Sequence, residues 1–88
     1  MEFEWNEGKR QKNLAKHGLD FADVPFLDWE TATVIEDRRR DYGEPRYWTF
    51  ATWRGRIHFV AFTVRSTKIR IISFRRANRK EVRNHGNA

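Results

Sequence analysis

Arginine recurs along one β-prone stretch, Lys68-Ile69-Arg70-Ile71-Ile72-Ser73-Phe74-Arg75-Arg76-Ala77. Alternation along an extended strand puts Ile69, Ile71 and Ser73 on one face and Arg70, Ile72 and Phe74 on the other. Apolar residues on both faces mark a strand central to a sheet, where a guanidinium is costly to desolvate unless an anion meets it. That anion is either a carboxylate of the same chain or a phosphate, whose oxygens match the guanidinium fork. Acid–base groups accompany the arginines: Glu44 opens Glu44-Pro45-Arg46, and His85 stands near the C-terminus. RNA is cut without a metal when a base takes the 2′-hydroxyl proton, cations stabilise the phosphorane and an acid protonates the leaving 5′-oxygen. Glu44 and His85 are candidates for the proton transfers, and Arg70, Arg75 and Arg76 for the cations. Spacing alone does not bring them together.

The distribution of charge points the same way. Residues 1–37 hold four lysines and arginines against nine carboxylates, whereas residues 38–88 hold fourteen against three, for a net charge of +6. A polyanion surface is therefore expected from the C-terminal half, with a different partner open to the acidic N-terminal third. The 88 residues suit a single domain, 1–88. Cysteine is absent, which excludes disulfides, thiolate nucleophiles and cysteine-based zinc sites. His17, His58 and His85 are far apart and no acidic loop clusters, so neither a metal site nor any other cofactor is expected. No apolar run is long enough to span a membrane and no apolar leader opens the chain, which makes a cytoplasmic protein the expectation.

The elements that must position these groups read as β-α-α-β-β-β-β-α. Glu2 to Trp5 alternates as a short edge strand, and Asn6 caps a helix running to about Lys16 with Gly18 as its terminator. That helix offers little beyond Leu14 and Ala15 to a core, while Lys9, Lys12 and Lys16 share one side that faces water or a ligand. Asp20 introduces a second helix over Phe21 to Trp29, shortened or delayed by Pro25, with Phe21, Val24 and Leu27 on its apolar face. A strand over Thr31 to Asp37 and the charged loop Arg38 to Pro45 lead into a meander of Arg46–Trp53, Ile57–Val64 and Lys68–Arg76. Asn78 and Glu81 form a capping box for a last short helix, and Arg83 to Ala88 reads as a fraying polar end. The fold class is α+β, an antiparallel sheet meander with the N-terminal helices packed on one face and a short C-terminal helix.

The chain resembles the BrnT-type toxins, the ribonuclease halves of bacterial type II toxin–antitoxin pairs. The matching segments are Trp5-Asn6-Glu7-x-Lys9, Asn13-x-x-Lys16-His17-Gly18-x-x-Phe21, Glu44-x-Arg46 and Ile69-Arg70-Ile71-Ile72-Ser73-x-Arg75-Arg76-Ala77 with Glu81. The resemblance implies a RelE-like fold and metal-independent RNA cleavage. It also implies a DNA-binding antitoxin, typically a ribbon-helix-helix dimer, which with the toxin represses their own operator DNA. Carried over by position, Glu44, Arg46, Arg70, Arg75 and Arg76 match the family's charged signature, and Lys9, Lys16 and His17 match its N-terminal helix. With His85 and Lys12 added from the residues themselves, Glu44, Arg70, Arg75 and His85 form the expected catalytic set, and Lys9, Lys12, Lys16, His17, Arg46 and Arg76 the expected RNA contacts. Two positions depart from the family: Phe74 replaces a small residue and His85 stands where tyrosine is common.

Each assignment has a plainer counterpart. Arg75 and Arg70 could each pair with a carboxylate of the chain, and Arg76 could be a surface charge at the helix entry. Glu44 could serve only Arg46, and His17, just before Gly18, could only cap the helix. His85 could be an idle terminal residue, the lysine side could be merely solvated, and the strand aromatics Trp48, Phe50, Trp53 and Phe62 could be core. The corresponding rival function is a non-catalytic basic module that binds nucleic acid or forms complexes.

Overall fold

In the computed structural model, which describes residues 2–86, the basic half of the chain forms the centre of one five-stranded sheet. Strands β3 (Arg46–Trp53), β4 (Arg56–Arg65) and β5 (Lys68–Arg76) pair antiparallel through tight turns. Strand β2 (Thr33–Glu36) lines β3 antiparallel, and β1 (Glu2–Glu4) lines β5, giving the order β1-β5-β4-β3-β2. The β1–β5 pair is parallel, an exception to the antiparallel pairing expected from sequence. Running parallel from Lys68 toward Arg70 carries the chain to the C-terminal half of β5, where the next helix docks.

That helix, α1 (Glu7–His17), starts at Asn6, whose side chain accepts from Lys9 N at 3.0 Å, and ends at Gly18 with φ 69°. Its apolar surface is as meagre as the sequence indicates, and polar contacts hold it instead. Asn13 is buried and serves as a stand-in for a neighbouring strand. Its Nδ2 donates to Phe74 O at 2.8 Å and to Leu19 O at 3.0 Å, and its Oδ1 accepts from Phe74 N at 3.1 Å. The N–H and C=O of Phe74, on the edge that short β1 leaves uncovered, are thereby satisfied. Arg10 ties the same helix to Asp20 through two bonds of 2.7 and 2.8 Å, and this guanidinium holds the Asp20 carboxyl down at about 2.

The expected helix over Phe21–Trp29 is instead a 3₁₀ segment, Phe21–Phe26, capped by Asp20. Pro25 has no N–H, and its ring conflicts with the carbonyl four residues earlier, so tighter turns replace the α-helix. Phe21 and Val24 are nevertheless fully buried. With Leu27 they cover Val60, Phe62, Ile71 and Phe74 on one face of the sheet.

The alternation expected along β5 fails at its middle. Ser73 pairs with Ala61 but Ile71 with Phe62, so Ile72 is an extra residue in the ladder. Such a bulge inverts the side-chain phase beyond it. Phe74 therefore joins Ile69 and Ile71 in the core, fully buried, rather than sharing a face with Arg70. Arg75 and Ser73 join Arg70 on the opposite face, in register with Phe59 and Ala61.

That opposite face receives the last helix, α2 (Arg79–His85), across the sheet from the 3₁₀ segment. Its capping box forms as the sequence indicates: Glu81 N donates to Asn78 Oδ1 and Asn78 N to Glu81 Oε1, both at 2.9 Å. The helix extends to His85, beyond the point where fraying was expected at Arg83. The rest of that tail, residues 87 and 88, lies outside the described residues. Among the described residues no helix is long and apolar enough to cross a membrane.

Candidate active site and nucleic-acid interface

The β-bulge decides which arginine reaches the face beneath α2. Arg75 lies over the Phe59 ring, its Cζ 4.2 Å from the centroid. Glu81 grips the same guanidinium with both oxygens, at 2.8 and 3.0 Å. Arg75 in turn holds the Glu81 carboxyl below its ordinary range, so it is ionised at neutral pH. One turn on, His85 stacks flat on Phe50, 4.1 Å between centroids and 7° between planes. Phe50 and Phe59 are cross-strand neighbours, which places Arg75, Glu81 and His85 in one cluster.

Arg39 completes this end of the face. Its guanidinium sits 4.5 Å from the Trp48 centroid and is held by the buried Asp37, which also accepts from Tyr42 Oη at 2.8 Å. Those contacts, Arg39 first, drive the Asp37 carboxyl far below its usual range. Arg39, Trp48, Phe59, Arg75 and Glu81 line a cleft of about 170 Å³.

A second arginine group lies farther along the same face. Arg46 and Arg70 flank Thr63 in register, four β4 residues from Phe59, or about 13 Å at 3.3 Å per residue. Glu4 binds Arg70 at 2.7 Å. Arg46 lies over the Tyr42 ring at 4.3 Å, with Glu44 Oε2 at 3.8 Å, and its buried Nε has no hydrogen-bond partner among the described residues. Glu44 is more firmly engaged by Arg65, at 2.9 Å. The two proton-transfer candidates are therefore not neighbours: Glu44 belongs to the Arg46 end and His85 to the Arg75 end.

The lysines of α1 and His17 do converge. Lys9, Lys12, Asn13, Lys16 and His17 line a groove of about 260 Å³ with Ile72 and Ser73, along the edge of β5. Burial pushes the His17 imidazole below its ordinary pKa, and the charges of Lys16 and Arg75 push it the same way. Ser73, two residues before Arg75 on the same face, joins the groove to the Arg75 cluster. Arg76 stands apart, beside Arg56, Ile57 and Val82 at the β3–β4 turn. His58 is buried between Trp53 and Phe74 with Nδ1–H donating to Arg56 O at 2.9 Å, a structural role. Among the described residues no three His, Asp or Glu side chains gather as a metal-binding set.

Several participants escaped the sequence reading. Arg39 was indistinguishable from Arg38 and Arg40, and only the fold of Asp37 and Tyr42 around it sets it apart. Glu81 was legible as a helix cap but not as the partner of Arg75. Asn13, a polar residue on a polar helix, carried no local sign of burial.

The fold and this face together define a small basic α+β domain with arginines on one sheet face and lysines along α1. A family model described as "Ribonuclease toxin, BrnT, of type II toxin-antitoxin system" matches residues 5–81. The crystal structure of the Brucella abortus ribonuclease toxin BrnT, at 1.1 Å resolution, is 34% identical, with a TM-score of 0.75 over 90% of this chain and 99% of that one. No curated protein matches the chain. The chain belongs to the BrnT family of ribonuclease toxins of type II toxin–antitoxin systems.

Proposed function

We propose that this toxin cuts RNA by general acid–base catalysis without a metal ion, with Arg75 holding the scissile phosphate. The observation that carries the reading is the Arg75 cluster: a guanidinium fixed on Phe59 and Glu81, facing a cleft shared with Arg39, beside a histidine and a lysine-lined groove. Arg75 and Arg39 would stabilise the phosphorane, and Lys9, Lys12 and Lys16 would guide the strand. His17, kept neutral by burial, is suited to take the 2′-hydroxyl proton, and His85 to protonate the 5′-oxygen. Glu44 would then orient Arg46 and Arg65, where with Arg70 they meet flanking phosphates. Arg76, outside both clusters, would contribute only long-range attraction.

The antitoxin of the pair is, in this reading, a ribbon-helix-helix dimer that binds operator DNA and holds the toxin inactive. Its support is family membership alone.

One observation favours a second reading, a toxin that binds nucleic acid without cutting it. Arg75, Arg70 and Arg46 each already face a carboxylate, Glu81, Glu4 and Glu44. The deciding experiment is cleavage of a labelled RNA in excess EDTA by the parent and by Arg75→Ala. Cleavage that survives the chelator and is lost in the variant supports the metal-free mechanism. Binding without cleavage by the parent supports the second reading.

A further inference from the structure

The sheet face beneath α1 and the 3₁₀ segment is not wholly covered. At the end of the sheet opposite the α1 docking site, Trp29, Val34, Tyr47, Phe62, Val64 and Ile69 line a groove of about 320 Å³. Val34 and Val64 are 51% and 38% exposed there, on a surface with no polar side chain but the tyrosine. Isolated exposed apolar residues are ordinary, but a contiguous patch with tryptophan and tyrosine at its centre has the composition of a protein-binding anchor.

The charge around the groove selects the occupant. Residues 28–36, which supply Trp29 and Val34, carry three carboxylates and no lysine or arginine; Glu36 is bridged by the exposed Arg38 at 3.0 Å, and Asp37 turns instead to Arg39 on the opposite face. Glu36 stands in register with Tyr47 on this face, and Glu30 follows Trp29. The cations at the same sheet end, Arg65 and Lys68, alternate to the opposite face and are paired with Glu44 and Glu2. An acidic rim repels RNA and attracts a basic segment. A DNA-binding protein is rich in such segments, because it must neutralise phosphates.

We infer that this acidic-rimmed apolar groove is where the antitoxin docks, through an amphipathic segment with apolar anchors and basic flanks. The inference rests on the reading of the partner as a DNA-binding antitoxin. The groove lies on the face of the sheet away from Arg75, so the antitoxin grips the toxin by a surface distinct from the RNA-binding one. A standard interface buries about 800 Å² per partner, so the groove is the anchor of a larger contact.

The test is titration of the cognate antitoxin, purified at full length, into the parent toxin and into Val34→Arg/Val64→Arg and Glu36→Lys variants. RNA cleavage and thermal melts are measured on each toxin without antitoxin. The double variant is expected to bind at least tenfold more weakly while melting and cutting RNA like the parent. Glu36→Lys is expected to weaken binding and to flatten its dependence on salt. Unchanged affinity in the double variant overturns the inference, as does a parent toxin that self-associates through this face with antitoxin affinity unaltered. Absence of RNA cleavage in every sample would count against the catalytic reading alone, because docking is read from binding.

Discussion

Replacing Asn13 by leucine, which keeps the branching of the side chain and removes its polar atoms, is expected to destabilise the toxin strongly. Asn13 makes three hydrogen bonds, two of them to the buried N–H and C=O of Phe74 and the third to Leu19 O. A leucine, with the same branching and heavy-atom count, removes all three and leaves both backbone groups of Phe74 without a partner. Each buried polar group left unsatisfied costs about 1–3 kcal/mol, so the two together cost about 2–6 kcal/mol. Added apolar burial offsets part of this, and a net loss of about 3 kcal/mol is expected. For a domain of this length each kcal/mol lowers the melting temperature by about 4–8 °C, which makes the expected shift roughly 12–24 °C. Urea unfolding with an unchanged m-value, together with a thermal melt, reads the effect directly. A loss below about 1 kcal/mol would refute the reasoning, since it would mean that water replaces Asn13 at the edge of β5. RNA cleavage under conditions where the variant remains folded should also fall, because Phe74 carries the strand into Arg75.

Two further outcomes follow from the same contacts. Glu81→Gln keeps an oxygen for the Asn78 cap but loses the charged grip on Arg75, and cleavage is expected to fall about tenfold, equivalent to about 1.4 kcal/mol. A lowered melting temperature with unchanged cleavage would make Glu81 a helix cap and no more. For pH, burial holds the His58 imidazole below its ordinary value of 6.5, so the unfolded chain binds the extra proton first. The stability His58 contributes is therefore complete above pH 6.5 and declines as pH falls below it, until the folded protein's own pKa is passed. Urea midpoints from pH 5 to 8 should show a slope that shrinks in His58→Phe, and shrinks only in part because His17 titrates in the same direction.

Much of the molecule was settled by local chemistry that a single sequence displays. The Asn6 and Asn78 caps, the Gly18 stop and the β3–β4–β5 meander depend on residues within a few positions of each other, and they form where expected. The order of the matching motifs likewise identified the family, because those residues are spread along nearly the whole chain. What the sequence could not display were relations across the fold. The extra residue in β5 exists only with respect to β4, so the reversal that buries Phe74 and turns Arg75 toward α2 had no local signature. The parallel pairing of β1 depended on where α1 had to dock, and Asn13 became buried only because β1 is too short to cover β5. The grouping of the charged residues was decided in the same way. Glu44 and His85 were expected in one site and stand at separate ends of the face, while Arg39, Arg75 and Glu81, distant in sequence, share a cleft. Side-chain type and short spacing are properties of the chain; strand register and the face a residue occupies belong to the sheet, and they arise only when it assembles.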